Sequence, residues 1–184
     1  DLLTAFPEDL ELPIDKLSGD RNTTLFVYGE QVHVGKTRGI YFITDTDPNY
    51  WSIERLATIH GVVSDRTVAT VGNAIAFRSE SQISALLGRQ IINLSRDVEE
   101  WLPKHDPDDP FYSHAVNNTA KKRYEYWYRE RGSSWPNKCI MCHYDESIDS
   151  REDATRVWSG PHDLPSTCSA DFQTDKLERR IATG

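Results

Sequence analysis

The chain has 184 residues, a mass of 21.1 kDa and a formal net charge of −8, the size of one domain or of one domain with a small appended module. Its 38% hydrophobic content, 27% charge and five tryptophans suffice for a packed core and exclude a disordered polyelectrolyte. The acidic total argues against a protein that coats nucleic acid through bulk charge, and no apolar run approaches the length of a membrane span.

In chain order, the first twenty residues read as an extended arm or a short docking helix. Thr24–Tyr28, Gln31–Val34 and Gly39–Thr44 are rich in β-branched and aromatic residues and predict strands, with Gly29-Glu30 as the first turn of a small antiparallel sheet. Asn49 can cap a helix running to His60, buried through Ile53, Leu56 and Ala57 and stopped by Gly61. Thr67–Val71 and Ala74–Phe77 flank Gly72-Asn73, a two-residue hairpin signal. Ser79–Gln82 makes a capping box for a long helix whose apolar positions Ile83, Leu87, Ile91, Leu94, Val98 and Trp101 form one stripe ending at Pro103. A last helix begins at Asp109-Pro110 and runs to Gly132. These elements predict an α+β protein, a small antiparallel sheet packed with several helices over residues 1–132, followed by a C-terminal metal-stabilised module over 133–184.

That module is expected because all three cysteines lie in the last quarter of the chain, as Cys139-Ile-Met-Cys142 and Cys168, with His162 between them. A C-x-x-C turn can bring two thiolates to one ion, and a distant His/Cys pair completes the tetrahedral shell of structural zinc. The set resembles a zinc knuckle with Cys139, Cys142, His162 and Cys168 as ligands. His105 and His114 with the same C-x-x-C form an alternative set, similar to the His-His-Cys-Cys module of retroviral and retrotransposon integrases. His114 with the two cysteines alone resembles the zinc deaminases, although Val116 stands where that family carries its proton-shuttling glutamate. Cys139–His143 also spells the C-x-x-C-H attachment signature of c-type haem proteins, which makes haem the lesser cofactor reading.

Two features point to nucleic acid. Ile83–Val98 is similar to the helix-turn-helix sequences of bacterial repressors, with Gly88 at the turn, Leu94 six positions on and Arg96-Asp97 after it. That resemblance implies Gln90, Asn93 and Arg96 as base or phosphate contacts, and Leu56–Val68 gives a second, similar echo. Between Ala120 and Cys139, six cations face only Glu125 and Glu130, a local net charge of +4 on an acidic chain. Lys121, Lys122, Arg123, Arg129 and Arg131 would neutralise phosphates of DNA or RNA while the interleaved Tyr124, Tyr126, Trp127 and Tyr128 stack on bases. A solvated helix face with core aromatics is the plainer account of the same run.

The reading that follows is a zinc-stabilised protein that binds nucleic acid or a protein partner without catalysis. The alternative is a metal-dependent nuclease, with His105, Asp106, Asp108 and Asp109 as candidate catalytic residues, because hard cations need clustered carboxylates. An odd cysteine count suggests an intracellular protein, while sequons at Asn22, Asn93 and Asn117 keep secretion open. The start lacks an initiator methionine and a signal-peptide pattern, as in a processed or cut-down chain.

Overall fold

The structure, a computed structural model, describes residues 12–44, 51–56, 60–102, 113–145, 148–149, 151, 156–173 and 179–183. The first strands follow the sequence expectation. β1 (Asn22–Tyr28), β2 (Gln31–Lys36), β3 (Gly39–Thr44) and β4 (Ser52–Arg55) form a four-stranded antiparallel meander. Gly29 and Glu30 both take positive φ, 56° and 63°, the backbone of a two-residue turn whose twist matches the flanking strands.

From there the expected hairpin around Gly72-Asn73 is present, and the expected helices give way to strands. β5 (Ala69–Val71), β6 (Ala74–Arg78), β7 (Ile83–Leu87) and β8 (Gln90–Asn93) make a second meander, with Gly72-Asn73 as its first turn. β9 (His114–Asn118), β10 (Arg123–Tyr128), β11 (Lys138–His143) and β12 (Val157–Asp163) make a third. A hairpin of β13 (Ser169–Gln173) and β14 (Arg179–Thr183) follows. Helical turns among the described residues are short 3-10 segments, such as Arg96–Trp101 and Thr119–Lys121, and none is an α-helix long and apolar enough to cross a membrane. The α+β class with packed helices is therefore corrected to an antiparallel all-β architecture, and the helix-turn-helix is corrected with it.

The physical reason lies in an ambiguity of spacing. Apolar residues four apart share one helix face, but four is also an even number, so within one strand they share a face as well, as Ile83 and Leu87 do, while Ile91 past the turn faces the first sheet. Gly88 sits at φ 60° between β7 and β8 and turns the chain back, so the span from Ile83 to Asn93 becomes a hairpin pairing Leu87 with Gln90 and Ser84 with Asn93. The span expected to run as a helix from Asp109 is likewise bent at Thr119–Lys121, and the run Tyr124–Tyr128 takes the strand geometry that aromatics favour. Residues 109–112 lie outside the described residues, as do 1–11 and residues 49–50 and 57–59 of the segment expected to form the Asn49–His60 helix. In the described part of that segment, Ser52–Arg55 is a strand.

The sheets stack face to face. Ile75, Phe77 and Leu86 of the second sheet meet Ile40 and Phe42 of the first, with Leu56 and Val62 from the segment between the two sheets. Its other face, with Ala74, Ala76, Ile83, Ala85 and Ile92, packs on Tyr124, Tyr126, Tyr128, Ile140 and Cys142 of the third. Hydrogen bonds lock both joints: Val62 donates its N–H to the Lys36 carbonyl at 2.8 Å, Trp158 Nε1 donates to the Leu94 carbonyl at 2.9 Å, and Tyr124 donates its hydroxyl to the Thr67 carbonyl at 2.8 Å. The first joint leaves no room at Gly61, where an added Cβ would land on the backbone of Lys36 and Thr37. Gly61→Ala is expected to destabilise the chain by about 3 kcal/mol or more, since rigid backbone must shift to admit one methyl; a urea-melt midpoint within error of the parent would contradict this packing.

Candidate functional site

The residues expected to hold a metal are separated by the geometry of one strand. Side chains alternate along a strand, so positions three apart point to opposite faces. Cys142 therefore enters the core between the second and third sheets, while Cys139 lies on the far face beside Val116, Trp127 and Met141. Both thiols are fully buried, and burial pushes each up to about 12. His162 pairs across from Cys139 but is exposed, and Cys168 is exposed beyond β12.

Among the described residues no three His, Cys, Asp or Glu side chains come together as a metal site, so the zinc knuckle is corrected. The same alternation defeats haem attachment, because the two thiols cannot reach one porphyrin edge; His143 contacts Ser159 Oγ at 3.2 Å. It also defeats the deaminase-like set of His114 with both cysteines. His105 of the integrase-like set, with the candidate catalytic Asp106, Asp108 and Asp109, lies outside the described residues.

The basic run is divided between the two ends of β10. Lys121 and Lys122 are exposed in the turn before it, and Arg123 at its start pairs with buried Glu125, which also accepts a hydrogen bond from Asn118 Nδ2 at 2.7 Å. Arg129 and exposed Arg131 follow its other end, about 20 Å away for a six-residue strand. Lys138, across from Tyr128, is held by Asp163 at 2.7 Å. The aromatics between these cations are buried: Tyr124, Tyr126 and Tyr128 in the inter-sheet core, and Trp127 stacked on His114 at 5.0 Å and 7°. They offer no platform to bases. Gln90 is exposed at the β7–β8 turn, Asn93 is engaged with Glu99 at 2.9 Å, and Arg96 lies 3.5 Å from Asp97, none of them on a recognition helix.

A different surface stands out on the first sheet. On the face turned away from the second sheet, the register aligns Val27, Val32, Ile43 and Ile53 in one row crossing all four strands. Val27 is 67% exposed, Val32 42% and neighbouring Leu25 70%, and the two isoleucines are half-buried. The other end of this face is covered: Tyr41 donates its hydroxyl to Asp15 at 2.7 Å, and Lys36 Nζ reaches the carbonyls of Asp15 and Asp20. β1 is an edge strand with no charge or proline among its seven residues, the devices that ordinarily guard an edge. The sequence signal for this surface is the unbroken run Leu25–Tyr28, because a strand apolar at consecutive positions is built to be covered on both sides.

Two measurements check this geometry. A native thiol titration is expected to modify Cys168 alone, with Cys139 and Cys142 reacting only on unfolding. Buried His114 has its pKa lowered from 6.5 to about 4, chiefly by desolvation and then by the nearby Arg66 charge. The unfolded chain thus takes up a proton near pH 6.5 that the folded chain refuses, and stability is full above that pH and falls as pH drops toward 4. The loss is on the order of 2–3 kcal/mol, and His114→Phe, keeping the stack on Trp127, is expected to flatten the dependence in urea melts between pH 7 and pH 4.5.

No protein-family model matches this sequence and a search of curated proteins finds no relative, so the functional reading rests on the geometry of the chain itself.

Proposed function

We propose that this chain is a partner-binding β-protein whose contact surface is the open aliphatic face of its first sheet. One observation carries the reading: Val27 and Val32 expose large apolar side chains side by side, in a row that Ile43 and Ile53 extend, with exposed Leu25 two positions away on the same face of β1. Scattered exposed apolar residues are ordinary, but a contiguous apolar row on a sheet face marks an interaction site. The occupant it fits is another antiparallel sheet, supplied by a second polypeptide. Twice within this chain such a face is met by the aliphatic face of a neighbouring meander, and stacked β units bury their faces only against one another.

The exposed Lys121 and Lys122, adjacent in one turn, support nucleic acid as a second reading, through phosphate contacts without base stacking.

Sedimentation velocity of the full chain over rising concentration tests the first reading, with the chain's own open face serving as the probe sheet. Reversible association is expected, lost in Val27→Lys/Val32→Lys with a thermal melt changed by no more than about 0.5 kcal/mol, as for surface substitutions. A chain that stays monomeric, or association indifferent to the double variant, counts against this face. Salt-dependent binding of a single-stranded DNA oligonucleotide, lost in Lys121→Gln/Lys122→Gln, would favour the second reading.

A further inference from the structure

The opposite side of the first sheet holds a cavity of about 330 Å³ at its joint with the second, lined by Tyr28, Gln31, His33, Phe42, Leu56 and Arg89. Its walls are aromatic and fixed. His33 is buried, stacked on Phe26 at 5.2 Å and tilted against Phe42 at 5.9 Å. The Tyr28 hydroxyl is used twice, donating to the Asn73 carbonyl and accepting from the Gly88 N–H at 2.7 Å. Beside the Gln31 carboxamide, that leaves two ring or charged groups with chemistry to offer.

One is His33. Its Nδ1 lies 3.1 Å from the Gln31 carbonyl, which can only accept, so Nδ1 carries the proton and Nε2 keeps its lone pair. Burial lowers the pKa of this imidazole and keeps it neutral. The other is Arg89, whose guanidinium lies over the Phe42 ring at 4.7 Å while reaching Glu54 at 3.7 Å. The cation–π contact holds the charge at the cavity, whereas a mostly exposed ion pair of this length is weak and exchangeable. An aromatic wall, a neutral acceptor and an exchangeable cation together select a single flat ring with an acidic substituent. A ligand cation would have to displace Arg89, and an aliphatic acid would leave the ring walls unused.

We infer that this cavity is a binding site for a small aromatic carboxylate, its ring packed against Tyr28 and Leu56, its carboxylate on Arg89 in place of Glu54, and a ring hydroxyl or N–H donating to His33 Nε2. The volume suits a one-ring ligand, at the lower end of small-molecule sites. This inference is independent of the docking face, which lies on the other side of the same strands.

The test is a titration of the ¹⁵N-labelled full chain with 4-hydroxybenzoate, followed through the backbone amides of Gly29 and Gly88 in the two turns at the cavity. Saturable shifts at these amides are expected, with affinity about tenfold weaker in Arg89→Gln and about tenfold weaker for 4-hydroxybenzyl alcohol, since each removes the charge-assisted contact. Arg89 is exposed, so the variant keeps the fold. Absent or non-saturable shifts overturn the proposal. So does equal affinity in Arg89→Gln, or equal affinity for the alcohol.

Discussion

The second sheet buries both of its faces, and the rest of the molecule is arranged around that constraint. Ile75, Phe77 and Leu86 point one way into the first sheet, and Ala74, Ala76, Ile83 and Ala85 point the other way into the third. A sheet with two apolar faces is stable only between two others, so the meanders must stack. The small alanines on one side let the tyrosines of β10 fill the space opposite, and Tyr124 finds its hydroxyl partner in the Thr67 carbonyl across the joint. Each sheet–sheet joint is thus an aliphatic and aromatic contact closed by a few buried hydrogen bonds.

Strand alternation also decides the chemistry of the C-terminal region. On a turn, Cys139 and Cys142 would converge on one ion; on β11 they part to opposite faces and become two inert core thiols. The basic run undergoes a similar change. A helix would bring Lys121, Arg123, Arg129 and Arg131 along one rod with aromatics between them, whereas a strand sends the aromatics inward and leaves the cations at its two ends. Four-stranded meanders in series are the repeating unit of β-propellers, an analogy of architecture that says nothing by itself about function.

Stacking leaves the first sheet with two unlike faces. The inner one is core and holds the aromatic cavity around His33, shaped by the turns at Gly29 and Gly88. The outer one is divided: Asp15 and Asp20 cap Lys36 and Tyr41 at one end, and the row from Val27 to Ile53 is open at the other. Both candidate sites therefore follow from the same strands, one from how they meet a neighbouring sheet and one from where none of the described residues covers them.

The sequence by itself determined the elements whose signals are local. β-branched and aromatic runs made β1, β2 and β3, and Gly29-Glu30 and Gly72-Asn73 placed two turns, because turn geometry depends on φ at one or two residues. Leu25–Tyr28 even carried the mark of a strand covered on both faces. Only tertiary structure decided the rest. The stripe from Ile83 to Leu94 fits a helix face as well as it fits strands, and the choice fell to strands because β7 and β8 could pair and bury against sheets on either side. Whether Cys139 and Cys142 share a site was equally beyond sequence spacing, since the same C-x-x-C converges on a turn and diverges on a strand, and the pairing of β11 with β10 and β12 is a long-range contact that no local pattern encodes.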